Sequence, residues 1–151
     1  MLVVLGITVW YKYPYDVNQQ YTASSIDGTT IEVSIEVKGY RNLFSPNRYV
    51  GVMKVNDDTY ETVEAGKNTS FLERLYMKLE GDEDFPVFLT QKRNGDEIAY
   101  ELIDIVWGDS GFEEIYFLFI DQDDGKYFAP ARNAIEAQKQ QEKIFKKLVG
   151  E

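Results

Sequence analysis

The sequence predicts an α+β fold that is mainly β: an antiparallel meander of about six strands, curved or partly closed into a barrel. A chain of 151 residues fits one domain with a sizeable core. Aromatic residues make up 15% of the chain, with eleven Tyr and nine Phe, and such flat side chains pack well on a pleated sheet. Short alternating or apolar runs recur between turn signals, which is the pattern of consecutive antiparallel strands.

Residues 30–38 form the clearest predicted strand because apolar and polar residues alternate there without a break. Ile31, Val33, Ile35 and Val37 share the face that would be buried, and the polar residues share the wet face. Similar runs between turn signals predict further strands over residues 49–55, 59–64, 85–91, 98–107, 115–120 and 126–128.

Two of these strands are more apolar than one buried face requires. Residues 98–107 are apolar on nearly both faces, and a helix over the same residues remains an alternative. Residues 115–120 are continuously apolar, which predicts a central strand covered on both sides. The pair Asn94-Gly95 predicts a tight hairpin turn, because both residue types tolerate positive φ.

Two helices are predicted. Ser70 and Glu73 form a capping box before a short inserted helix over about 71–80, and a strand in its place would bury Glu73. Pro130 suits the first turn of a C-terminal helix over about 131–149. The best core candidates of that helix are Ile135, Phe145 and Leu148. In outline the whole arrangement is similar to small calycin-like barrels, an analogy of fold alone.

The N-terminal segment, residues 1–13, carries no charge from Met1 to Trp10. Ten helical residues cover only about 15 Å, against a hydrocarbon core of about 30 Å. The segment is therefore either a truncated membrane anchor or a buried strand.

Residues 14–28 are polar and aperiodic, which predicts a linker before a single globular domain over 29–151. We expect the anchor, because that domain supplies its own sheet. Tyr11, Tyr13, Tyr15 and Tyr21 would then form an aromatic belt at the membrane interface.

Charge and missing residue types exclude several functions. The formal net charge of −10 disfavours nucleic-acid binding and adhesion to anionic lipid through a basic patch. The chain has no Cys and no His, so it lacks disulfides, thiolate metal sites and the commonest general base. Catalysis would have to depend on carboxylates, Lys, Tyr or a hard metal ion. We therefore expect a protein that is not an enzyme.

Two loops share letters with catalytic or metal motifs. Gly108-Asp-Ser-Gly111 occurs around the nucleophile of trypsin-like serine proteases, but a chain without His cannot build their triad, so a turn is expected. Asp121, Asp123 and Asp124 begin like a calcium loop, although Gly125 comes one position early and no Glu follows at the required distance. These three carboxylates are a candidate for weak Ca²⁺ binding, and no other cofactor is expected.

The first functional hypothesis is a non-enzymatic domain, tethered to the cell membrane and facing outward, that binds a small ligand or a partner protein. A curved sheet lined by Tyr, Phe and Trp107 would hold an apolar ligand between its strands and the C-terminal helix. The alternative is a soluble, cytoplasmic acidic inhibitor or decoy that binds a basic partner. A hydrolase with paired carboxylates ranks last, because no spacing brings two carboxylates across a cleft.

Overall fold

The computed structural model describes residues 13–42, 46–63, 85–94, 96–109, 111–120 and 125–149. Within these ranges the chain forms eight strands and one helix, which confirms the mainly β, barrel-like fold. The strands are β1 Tyr15–Ser24, β2 Thr30–Tyr40, β3 Arg48–Val55, β4 Asp58–Val63, β5 Val87–Asn94, β6 Glu97–Gly108, β7 Ile115–Phe119 and β8 Lys126–Ala129, and the helix is α1 Ala134–Val149.

The strands close into a barrel in their order along the chain. Each strand pairs antiparallel with its neighbours, and β1 returns to pair with β8. This seam is short: Ser24 lies opposite Phe128, and the Ala131 amide donates a hydrogen bond to the Thr22 carbonyl at 2.9 Å. Because side chains alternate along a strand, every second residue points into the barrel.

The barrel interior is one continuous core with apolar or aromatic side chains from all eight strands. Val33, Ile35 and Val37 of β2 lie in it, as their strict alternation predicts. Ile103 of β6 and Phe117 of β7 are fully buried in the same core. The predicted strands from residue 30 onward therefore form, with boundaries that shift by a few residues.

An aromatic cluster closes one end of the barrel. Phe112, in the loop between β6 and β7, is fully buried, and its ring centroid lies 4.8 Å from Tyr49 and 6.1 Å from Phe85. The hydroxyl of Tyr15 donates to that of Tyr49 at 3.2 Å. The Tyr15 ring crosses Gly39 on the paired strand, where a Cβ atom would collide with it.

The linker predicted over residues 14–28 is wrong, because β1 pairs with β2 along its whole length. The inward positions of β1 include polar side chains, so the sequence of this strand does not alternate between apolar and polar residues. Gln19 Nε2 donates to the Gly111 carbonyl at 3.1 Å, so this inward amide finds a protein partner in place of water. Tyr15 and Tyr21 pack on the core, so they are not part of an interfacial belt. The globular domain therefore includes Tyr15–Ser24, which the predicted start at residue 29 leaves out.

Helix α1 begins three residues later than predicted because Asn133, rather than Pro130, defines its start. Asn133 Oδ1 accepts a hydrogen bond from the Glu136 amide at 3.0 Å, and the Glu136 carboxylate accepts one from the Arg132 amide at 2.8 Å. The Asn133 side chain thus satisfies one of the free amides of the first turn, and Glu136 in return holds the amide just before the helix. The preceding residues instead extend the seam between β8 and β1.

The helix packs on the barrel through a narrower stripe than predicted. Ala137 and Ile144, two turns apart, are its buried residues, and they pack with the stacked rings of Tyr116 and Phe128. A helix on a convex wall touches it along one stripe, so side chains on the flanks stay in solvent. The predicted core candidates Ile135, Phe145 and Leu148 are all exposed.

Several predictions fall on residues that the structure does not describe. They include the inserted helix over 71–80, residues 1–12 of the N-terminal segment and the acidic loop 121–124. Within the described ranges, no helix combines the length and apolar character that crossing a membrane requires.

Candidate functional site

The outer wall of the barrel is polar over β1–β3. Outward side chains of neighbouring strands pair with each other, as where the Thr22 hydroxyl donates to Glu32 Oε1 at 2.8 Å. Val50 and Val52 are apolar exceptions, and each lies opposite a charged residue of β2. This half of the wall is an ordinary solvated face of an antiparallel sheet.

The outer wall over β5–β7 carries more apolar side chains, although the acidic Asp104 lies among them, opposite Val87 and Leu118. Leu89 of β5 lies opposite Leu102 of β6, and the Ile120 amide donates to the Leu102 carbonyl at 3.0 Å, so these three residues form a row across the strands. Tyr100 and Ile98 follow Leu102 on the same side of β6. The β5–β7 face, as we name it, consists of the outward side chains of Leu89, Ile98, Tyr100, Leu102, Leu118 and Ile120.

Half of the β5–β7 face is open to solvent. The exposed fraction is 52% for Ile98, 55% for Tyr100 and 48% for Ile120. Helix α1 lies mainly on β8 and β1 instead, and it buries the outward rings of Tyr116, at the start of β7, and of Phe128. Contiguous exposed apolar surface on a soluble domain marks an interaction site, because leaving it in water is unfavourable.

The apolar half is also built by the most acidic part of the chain. Residues 80–124, which supply β5, β6 and β7, contain fourteen of the 26 acidic residues and two of the 16 basic residues. The rest of the chain has about as many basic as acidic residues. The long-range electrostatic field of this segment therefore favours cationic partners.

The described part of the barrel interior leaves little room for a ligand. Ile35, Met53, Phe88 and Ile103 have exposed fractions of 0%, whereas a side chain that lined a ligand-sized cavity would expose surface to it. The space between strands and helix, where an apolar ligand was predicted, is occupied by the cluster of Tyr116, Phe128, Ala131, Ala137 and Ile144, against which Trp107 packs.

Two inward tyrosines place polar atoms in this core. The Tyr60 hydroxyl donates to Glu101 Oε2 at 2.8 Å, and burial raises the pKa of Tyr60. The Tyr21 hydroxyl is buried and has no hydrogen-bond partner among the described residues. Burial, assisted by the Asp109 carboxylate, raises the pKa of Tyr21, so this hydroxyl stays protonated.

The Gly108–Gly111 sequence forms part of a turn, as expected. Asp109 Oδ1 accepts hydrogen bonds from the amides of Glu113 at 2.7 Å and Glu114 at 3.4 Å, and the Phe112 amide donates to the Asp109 carbonyl. The side chain of Asp109 thus holds the loop that carries the buried Phe112.

The predicted calcium ligands Asp121, Asp123 and Asp124 lie outside the described residues, so Ca²⁺ binding there stays a prediction. In the part of the chain that the structure describes, no three acidic side chains come together as metal ligands would.

Glu114, in the loop before β7, holds the C-terminal half of helix α1. Its carboxylate forms ion pairs with Lys143 and, at 3.2 Å, with Lys147. The hydrogen bond from Lys143, followed by that from Lys147, lowers the pKa of Glu114 against the opposing effect of burial. Lys147 Nζ also lies 5.1 Å from the ring centroid of Trp107, a cation–π distance.

Over the residues that the structure describes, the fold defines the class of this protein: a closed, up-and-down β-barrel of eight strands with a packed interior and one helix across its seam. Barrels of this size either hold one small ligand or are filled by side chains. The chain matches no known family model, and no curated protein or solved structure is detectably similar to it. The function is therefore inferred from the chemistry of the protein surface.

Proposed function

We propose that this protein is a non-enzymatic binding domain that captures a partner protein on the β5–β7 face. The observation that carries the proposal is the row Leu89–Leu102–Ile120, which Tyr100 and Ile98 extend into solvent. Burying such side chains in an interface contributes roughly 25 cal/mol per Å² of apolar surface. Aromatic residues such as Tyr100 are favoured at the centres of interfaces.

The charge of the surrounding chain indicates the chemistry of that partner. With fourteen acidic and two basic residues in 80–124, an anionic partner would be repelled and a cationic one attracted. A partner segment with apolar residues along one side and Lys or Arg on the other matches both properties. This proposal joins the two sequence hypotheses, since an acidic inhibitor of a basic protein would use the same face.

We also propose that residues 1–13 tether the domain to the cell membrane with the barrel facing outward, and a cytoplasmic location is the alternative. The uncharged run from Met1 to Trp10 supports the tether. The test is fractionation of cells that express the complete reading frame at its native level. Recovery in the membrane pellet after a high-salt wash supports the tether, and recovery in the soluble fraction contradicts it.

The test of partner binding uses three synthetic helical peptides of about 18 residues, which is five turns. The Leu/Lys peptide has a leucine face and a lysine face, the Leu/Glu peptide reverses the charge, and the Ser/Lys peptide removes the apolar face. We expect the Leu/Lys peptide to bind most tightly by isothermal titration calorimetry, with an affinity that falls as salt is added.

Matched variants locate the binding. Ile98→Ser should weaken binding of the Leu/Lys peptide about tenfold, which corresponds to about 1.4 kcal/mol. Val50→Ser, the same kind of change at an exposed valine of the polar half, should leave it unchanged. Equal binding of the Ser/Lys peptide, or an equal loss in Val50→Ser, would show charge attraction without use of the face and would overturn the proposal.

A small ligand inside the barrel is the second candidate, and the Tyr21 hydroxyl favours it. A buried hydroxyl without a partner can donate to an acceptor atom of a bound molecule. The filled core around it makes this candidate weaker than the β5–β7 face. Titration with Nile red, a neutral apolar dye, separates the two: an interior site requires dye fluorescence that changes in Tyr21→Phe but not in Ile98→Ser.

A further inference from the structure

The C-terminal end of helix α1 is a second exposed apolar surface. The exposed fraction is 43% for Phe145, 53% for Leu148 and 75% for Val149. These residues lie beyond the stripe that packs on the barrel, which ends at Ile144. The Phe145 ring meets the Tyr116 ring of the barrel edge to face, with centroids 6.3 Å apart, whereas Leu148 and Val149 are more than half exposed.

The sequence segment that carries this helix end has the opposite net charge to the segment that carries the β5–β7 face. Residues 125–149 contain six basic residues and two acidic ones, in contrast to residues 80–124. Lys146 and Lys147 lie in the last turn between the exposed apolar residues. Lys147 shares Glu114 with Lys143, and Lys146 adds a further positive charge, so the helix end combines apolar and cationic side chains, the chemistry that the β5–β7 face is proposed to bind.

The helix end is fixed away from the face in its own chain. Glu114 binds Lys143 and Lys147, and Ile144 is buried beside Tyr116 and Phe128. Leaving the barrel would break these contacts, so the helix end and the face meet only between two molecules. Because Lys143 and Lys147 are already paired, the helix end is also presented as a rigid surface, which lowers the entropic cost of association.

We propose that the β5–β7 face binds the C-terminal end of α1 from a second copy of this chain. The inference rests on the proposed function and names its partner. The contact is head to tail, since each copy uses a different surface on each side, so copies can add in series as a ring or a filament. The complementary apolar surfaces and the opposite charges of residues 80–124 and 125–149 support this assembly.

The test is sedimentation equilibrium of the full chain over a hundredfold range of concentration at low salt. The average mass should rise with concentration past that of a dimer and fall back toward the monomer in high salt. The double variant Leu148→Ser with Val149→Ser and the variant Ile98→Ser should each remain monomeric. Val50→Ser should associate like the wild type. All four positions are exposed, so circular dichroism should show folded proteins throughout.

Mixing the two monomeric variants gives the sharpest result. The double variant at Leu148 and Val149 keeps an intact β5–β7 face, and Ile98→Ser keeps an intact helix end. The mixture should therefore form a dimer and nothing larger. A wild type that stays monomeric at every concentration overturns the inference. So does association that Ile98→Ser abolishes and the helix variant does not, since that result means face-to-face contact. If the wild type is monomeric but the Leu/Lys peptide binds, the proposed function stands; if neither occurs, both are wrong.

Discussion

The two halves of the barrel share one inner face and differ in what they offer to water. In β2 the inward Val33, Ile35 and Val37 alternate with polar residues, which form the outer side of the strand. In β6 the outward side chains include the exposed Ile98 and Tyr100, although Asp104, between the inward Ile103 and Ile105, is acidic. The difference teaches that interior packing requires only one apolar face, so the apolar side chains on the outside of β5–β7 are free to serve the proposed binding of a partner.

Substitutions in the barrel interior should lower the stability most, and the loss should be equal in the two halves of the barrel. Ile35→Ala in β2 and Ile103→Ala in β6 should each lower the free energy of unfolding by about 3 kcal/mol, because both side chains are fully buried. Urea denaturation measures this loss. A cost below about 1 kcal/mol for Ile103→Ala alone would mean that the interior of the apolar half is loosely packed, and the comparison would fail.

A smaller effect on stability is expected where helix α1 covers the seam between β8 and β1. The pKa of Glu114 is lowered by Lys143 and Lys147, so the ionised carboxylate stabilises the folded state. Glu114→Gln should destabilise by about 1 kcal/mol at neutral pH. The stabilisation is present above the ordinary Glu pKa and is lost as the pH falls through the lowered value.

Unfolding measured from about pH 7 to about pH 3 tests the assignment, because the wild type and Glu114→Gln should converge at the acid end. Glu113→Gln, at the exposed neighbouring carboxylate, is the control and should differ little from the wild type at any pH. A constant gap between wild type and Glu114→Gln would show that the ion pairs do not hold the helix.

The smallest effect is expected on the outer wall of the free protein. Tyr100→Thr on the β5–β7 face and Ser34→Thr on the polar half should each change stability by no more than about 0.5 kcal/mol. Thermal unfolding provides the measurement. A loss above about 2 kcal/mol in Tyr100→Thr would mean that the face stabilises the barrel itself and is not reserved for a partner.

Much of the fold is predictable where one physical rule acts alone. Strict alternation identifies β2, and the continuous apolar run identifies β7, whose outward Tyr116 lies under α1. Strand β1 is missed because its inward Gln19 is satisfied by the distant Gly111 carbonyl, a bond that no local pattern reveals. The stripe of α1 is missed because the small Ala137, rather than a large side chain, allows close packing.

The candidate site is only half predictable. The sequence shows that residues 98–107 are apolar on nearly both faces, which is the signal for the β5–β7 face. For residues 115–120 it suggests a strand covered on both sides, whereas Ile120 is half exposed, because the sequence pattern cannot say which apolar face remains in solvent. The register that aligns Leu89, Leu102 and Ile120 into one surface, and the position of α1 on β8 and β1, depend on barrel closure.

Methyl NMR of the labelled protein during titration with the Leu/Lys peptide tests the central claim most directly. The methyl signals of Ile98, Leu102 and Ile120 should shift and saturate together, while those of Val50 and Val52 on the polar half stay in place. Shifts at the interior methyls of Ile35 and Ile103, or equal shifts in both halves of the wall, would contradict the assignment of the β5–β7 face as the binding surface.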